Sequence, residues 1–220
     1  MLLYIVICIL DIVLIILDHE ISYYTKLFGT LVLLLAYCYV TIKLDKLVLL
    51  YFGVLAISDF FSIFYELFNE SIFTTAITFL ILIKILRNFV SFKIKTGTIF
   101  NLIVFFALFG VVYVYVLEGK EDSSIPILIY GIALCVTMAI SLSMYLVKPN
   151  TTTLMFLGAM ILRVFSDALL ALILFSEDID VIFDVLSSTI YFVSNYCLYR
   201  GFVMKEEPSK NHGLTLTTFI

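Results

Sequence analysis

Tryptophan is missing from this chain, and histidine, proline and charge are scarce: two His, three Pro, and charged side chains at only 14% of 220 residues. Each scarcity excludes something. The histidines are His19 and His212, neither inside a long apolar run, so a zinc site or a Ser/His hydrolase within those runs is ruled out. Cys8, Cys38, Cys135 and Cys197 show no CxxC or Cys/His ligand spacing and read as small buried apolar side chains. The net charge of −4 is a sum over two opposite faces and points to no nucleic-acid partner.

What is present is apolar. Hydrophobic residues make up 63% of the chain, against roughly 45–50% in soluble domains. Cutting at clusters of charge, Asn, Gly and Pro leaves eight apolar stretches, at 2–17, 26–42, 47–66, 71–90, 97–117, 124–147, 152–175 and 181–200. Each approaches the length needed to cross a hydrocarbon core of roughly 30 Å. None alternates like a strand, and in lipid the backbone must satisfy itself, so the stretches are helices. The sequence therefore predicts an all-α polytopic membrane bundle of eight transmembrane helices, one domain over 1–204 with a short tail over 205–220. Short connections predict that consecutive helices are antiparallel neighbours.

Basic residues gather at one set of ends: Lys43 and Lys46; Lys84, Arg87, Lys93 and Lys95; Lys148; Arg200, Lys205 and Lys210. Acids hold the others: Asp18 and Glu20; Glu66 and Glu70; Glu118, Glu121 and Asp122; Glu177, Asp178 and Asp180. Lys26 and Lys120 are the basic exceptions. The positive-inside rule then makes both termini cytoplasmic, and the protein is expected to be multi-pass in the cytoplasmic (inner) membrane of a bacterium. The first stretch lacks a basic flank and a small-residue cleavage pattern, so it is expected to be a retained helix.

Against this background two dipeptides stand out, Ser58-Asp59 and Ser166-Asp167, deep in the third and seventh stretches. A charge at the bilayer centre costs roughly 3 kcal/mol, so such a residue normally faces a protein interior and marks a site. Both helices run the same way, and a rise of about 1.5 Å per residue sets the two aspartates at similar depth, facing one cavity. Arg163 lies one turn from Asp167 and can pair with it, either as a plain structural salt bridge or to keep it ionised. Asp59, Ser62 and Glu66 form a stripe on the third helix. Asp184, Ser188, Tyr191, Asn195 and Tyr199 share one face of the eighth, which should look inward. Tyr130, Thr137, Ser141 and Tyr145 on the sixth read as packing residues. Asp11 has no polar partner on its own helix and needs a basic or Tyr partner elsewhere. Ser166 follows Ser58 by 108 residues, a spacing compatible with duplication of a four-helix unit.

The segment GAMILRVFSDALLALILF, residues 158–175, resembles the signature of the YhhN family of eight-helix membrane proteins, whose characterised members are lysoplasmalogenases. Thr25-Lys26 opening the second helix, Gly53 with Ser58-Asp59, Pro126 opening the sixth, and a Tyr-rich eighth helix ending in Gly201 agree in order. The chain departs from the family in Lys26-Leu27 for Lys-Pro, Ser58-Asp59 for Gly-Asp, and Ser194-Asn195 for Ala-Gln. The resemblance implies hydrolysis of the vinyl ether bond of a lysoplasmalogen, a lysophospholipid, to a fatty aldehyde and glycerophosphoethanolamine or glycerophosphocholine, with no metal or cofactor. Two differently tuned carboxylates suit that chemistry, as they do in glycosidases. Asp59, without an adjacent cation, would be the protonated acid and Asp167, beside Arg163, the ionised stabiliser or base. Ser58, Ser166, Tyr191 and Asn195 would support them, and Lys26 would meet the phosphate. The competing reading is a transporter or lipid-binding protein that uses the same carboxylates for proton or cation coupling. No span, however, has the central Gly/Pro break of a transporter site.

Overall fold

The computed structural model describes residues 1–19, 21–89, 96–117, 124–175 and 180–206. Among them are eight α-helices and no strand: α1 Leu2–Ile16, α2 Ser22–Val40, α3 Lys46–Phe61, α4 Phe68–Phe89, α5 Thr96–Leu117, α6 Ser124–Val147, α7 Thr151–Phe175 and α8 Val181–Glu206. Five of these, α2, α4, α6, α7 and α8, are long and apolar enough to cross a membrane. Glu20, Lys93, Lys95, Glu118, Lys120, Glu121, Asp122, Glu177, Asp178, Lys210, His212 and the tail beyond 206 lie outside the described residues.

The helix ends have local causes. Asp45 caps α3 by accepting the Leu47 N–H at 2.9 Å. Asn150 does the same for α7, accepting the Thr153 N–H at 2.8 Å. Ser62 turns back to donate to the Asp59 carbonyl at 2.7 Å, just where α3 stops. The predicted third span to 66 is thus too long by five residues, and Glu66 falls in a 3₁₀ turn, Tyr65–Leu67, off the Asp59 face. Other ends also differ. α2 begins at Ser22, which puts Lys26 in its second turn, and α8 continues to Glu206 beyond the expected end at 200.

Packing closes seven helices into a circuit: α1 on α2, α2 on α3, α3 on α4, α4 on α6, α6 on α7, α7 on α8, and α8 back on α1, with α2 also touching α8. α5 stands outside against α6, so the expectation that all consecutive helices are neighbours fails at α4 and α5. The reason lies in α6. It buries Gly131, Ala133, Cys135, Ala139, Ser141 and Ser143, small residues that let helices approach it closely on several sides. Of the four cysteines only Cys135 is fully buried, and Cys38 is exposed, against the expectation from sequence.

One end of the bundle is filled by aromatic side chains. Tyr51, Phe52, Phe156 and Phe202 are buried, with Phe202 at 5.4–5.8 Å ring-centre distance from the other three. Past them Lys205 pairs with Asp45 at 2.9 Å, tying the end of α8 to the α2–α3 connection. Seven residues from Phe52 along α3, about 10 Å at helical rise, is Asp59.

Candidate functional site

Asp59 sits on α3 with 5% of its surface exposed, facing α2 and α8. Thr30 of α2 donates to one carboxylate oxygen at 2.5 Å, and the Tyr191 hydroxyl of α8 donates to the other. No ion pair reaches it among the described residues. A buried acid held by two hydroxyls is satisfied without a counter-charge.

Asp167 sits on α7 in a different setting. Arg163 Nε lies 3.2 Å from both of its oxygens, the predicted i,i+4 pair, and the Tyr130 hydroxyl of α6 donates to it as well. Its side chain keeps 19% exposure. The two aspartates are brought together through one aromatic ring. The Arg163 guanidinium lies 4.7 Å from the centre of the Tyr191 ring, and Tyr191 is the donor to Asp59. Phe79 of α4 approaches the same guanidinium at 5.9 Å, and Lys26 of α2 lies 5.6 Å from the Tyr191 ring. Aromatic faces attract a desolvated cation, so Tyr191 joins two positive groups to Asp59. Asn195, one turn along α8, interacts with the Tyr191 hydroxyl.

The predicted inward face of α8 is seen at Ser188, Tyr191, Asn195 and Tyr199, all buried, while Asp184 at its start is only partly buried. Asp59, Asp167, Arg163, Tyr191, Asn195 and Lys26 form one connected group. Ser58 and Ser166 do not join it, although each is buried next to its aspartate. Ser58 donates to the Ser71 carbonyl at 3.0 Å and accepts nothing from the site, while Ser71 donates back to the Ser58 carbonyl at 3.1 Å. Ser166 and Ser187 repeat that reciprocal pair at 2.9 and 3.1 Å. Both serines fasten one helix to the next.

Sequence reasoning missed Thr30 and Phe79, and took Tyr130 for packing. Tyr130 heads the α6 polar stripe, which was its one visible signal; Thr30 and Phe79 gave none. Asp11 also finds unforeseen partners. Its oxygens accept from Thr25 of α2 and, at 2.6 Å, from Ser188 of α8, so two hydroxyls stand where a base or tyrosine was expected.

What the arrangement offers chemically is a hydroxyl-held carboxylate and an ion-paired carboxylate on either side of a Tyr–Arg contact. Such a pair suits acid–base chemistry, because the two carboxylates are held by different kinds of partner. No protein-family model matches this chain, and neither a curated protein nor a solved structure is found to be similar to it.

Proposed function

We propose that this chain is a multi-pass membrane hydrolase of the YhhN type, which cleaves the vinyl ether bond of a lysoplasmalogen. The observation that carries the reading is the meeting of Asp59 and Asp167 at the Arg163–Tyr191 contact. In this reading all eight helices cross the membrane, with both termini cytoplasmic. The aromatic plug closes one end, so substrate enters from the other end or from the side.

Asp59, in its protonated form, gives its proton to the alkenyl carbon β to the ether oxygen, and the electron pair of the double bond forms the new C–H bond. The resulting oxocarbenium ion is stabilised by ionised Asp167, which then takes a proton from water as the water oxygen adds to the cation. The hemiacetal so formed collapses to a fatty aldehyde and the free glycerol hydroxyl of the headgroup fragment. Tyr191 and Asn195 orient substrate or water, and Lys26 meets the phosphate. Arg163 is the ion-pair partner of Asp167.

The test is aldehyde release by the purified full chain from lysoplasmenyl-ethanolamine and lysoplasmenyl-choline. Asp59→Asn and Asp167→Asn are each expected to lower turnover by at least about a hundredfold with folding intact, the scale of a lost acid or base. Full activity in either variant would remove that residue from the mechanism. No release by the parent from either headgroup would reject the hydrolase and favour proton- or cation-coupled transport.

A further inference from the structure

One buried carboxylate is not used by this chemistry. Asp11 is 1% exposed, lies in an otherwise apolar helix, and is bonded by hydroxyls alone. Its surroundings repeat those of Asp59. Each aspartate accepts from one α2 threonine, Thr25 or Thr30, and from one α8 hydroxyl, Ser188 or Tyr191. The two sites are successive layers between the same pair of helices. Ser188 and Tyr191 are three residues apart, about 4.5 Å along the helix, and share its inward face. One turn before Ser188 is Asp184, in the first turn of α8 and only partly buried.

We infer that Asp11 is the relay through which Asp59 is reloaded with a proton from the end of the bundle where α8 begins. The need for it rests on the hydrolase reading. After one turnover the proton given to carbon has left Asp59 and the proton taken from water is on Asp167. Resetting the pair requires Asp167 to lose one proton and Asp59 to gain one. Arg163 stands between them and cannot carry it, since a guanidinium does not deprotonate in proteins. The α8 column can. Asp184 takes a proton from solvent, and the Ser188 hydroxyl accepts it while passing its own to Asp11. From protonated Asp11 the proton crosses by way of Ser188, intervening water and the Tyr191 hydroxyl to Asp59. Each hydroxyl gains one proton as it gives one up, so no charge is left behind.

The groups facing Asp11 are few: Thr25 from α2, Ser188 from α8, and Cys8 one turn away on α1. Lys26, next to Thr25 in sequence, reaches the Tyr191 ring. A plain structural role would be to bind α1 to α2 and α8, and Asp11→Asn preserves the size and most of that hydrogen bonding. It removes only the capacity to take up a proton. The substitution therefore separates the two roles.

The experiment is infrared spectroscopy of the purified full chain on mixing with D₂O, following the carboxylic acid band that disappears in Asp59→Asn. In the parent this band shifts as deuterium reaches Asp59. In Asp11→Asn the shift is expected to slow at least about tenfold, and Asp11→Glu is expected to recover it. Ser188→Ala, which breaks the column from the other side, should slow it too, so the result does not hang on one variant folding. An unchanged exchange rate in folded Asp11→Asn overturns the relay, as does the absence of any band lost in Asp59→Asn. This readout needs no aldehyde release, so it stands or falls separately from the hydrolase reading.

Discussion

The two Ser-Asp dipeptides begin alike and end differently. At both, the serine exchanges a reciprocal pair of hydrogen bonds with a serine on the following helix, Ser71 for α3 and Ser187 for α7. At both, the aspartate turns the other way and accepts from a tyrosine. The packing repeats as well: α2–α3–α4 matches α6–α7–α8, α1 on α2 matches α5 on α6, and α4 on α6 matches α8 on α2. The match breaks at α1, which packs on α8, whereas α5 is left outside. The aspartates part over their partners. Asp59 has two hydroxyls and no ion pair; Asp167 has Arg163 and more exposure. One local motif used twice thus yields two carboxylates of different character, which is what an acid and a base require.

The comparison breaks most visibly if each carboxylate is neutralised. Asp167→Asn leaves the Arg163 charge without its partner in a poorly hydrated place, a loss on the order of 3 kcal/mol. Asp59→Asn loses part of two hydrogen bonds and no ion pair, about 1 kcal/mol. Unfolding in detergent should show this difference, and Arg163→Met added to Asp167→Asn should recover part of the larger loss. Equal losses from the two single variants would mean that Arg163 does not depend on Asp167.

A second contrast is between the closed circuit and the outer helix. A Cβ at Gly29 would lie 2.5 Å from the ring of Phe192, the residue after Tyr191, and a Cβ at Gly131 would lie 1.9 Å from the Phe109 ring of α5. Overpacking of this kind costs about 1–3 kcal/mol at either place. The functional consequences should differ. Gly29→Ala pushes α8 beside the site and is expected to lower activity severalfold, whereas Gly131→Ala displaces α5 and is expected to affect stability alone. Equal loss of activity would show that α5 bears on the site.

Helix number and approximate ends were legible because lipid-length apolar runs punctuated by charge leave little choice of backbone. The i,i+4 pair of Arg163 with Asp167 and the inward face of α8 were legible for a related reason: both lie within one helix, where spacing fixes which side chains share a face. What crosses between helices was not legible. Thr30 looks like any packing threonine until α2 is set against α3, and Phe79 becomes a neighbour of Arg163 only through the α4–α6 contact. The exclusion of α5 from the circuit depends on small residues of α6 that serve several neighbours at once. The same limit explains Asp11. A lone acid on an apolar helix shows that it needs partners, but not that they are hydroxyls on α2 and α8.

The reciprocal serine pairs sharpen the likeness of the two stations at a smaller scale. Ser58→Ala and Ser166→Ala should each cost about 0.6 kcal/mol, the average for an interhelical hydrogen bond in a membrane protein. Each should leave the pH dependence of turnover unchanged, since neither serine touches its aspartate side chain. A shifted pH profile in Ser166→Ala alone would show that the two serines are not equivalent.

A second aspartate–cation pair, Asp45 with Lys205, is a solvent-accessible counterpart to Asp167 with Arg163, and the smallest effect is expected there. Partial burial works to raise the Asp45 carboxyl, but hydrogen bonds from Lys205 and from the Leu47 and Val48 N–H groups, with the ammonium charge, outweigh it and hold the group below its ordinary value. A carboxyl lowered on folding binds its proton more weakly in the folded chain than in the unfolded one. Its stabilisation is therefore complete above the unfolded value of about 3.9 and is lost as pH falls through the lower folded value. Asp45→Asn should cost about 0.2–1 kcal/mol at neutral pH, less in high salt, and nothing once the parent is protonated. Stability curves of parent and variant should thus converge on acidification. Curves that stay parallel down to that range would mean that the cap to Leu47, which Asn also supplies, is all that Asp45 contributes.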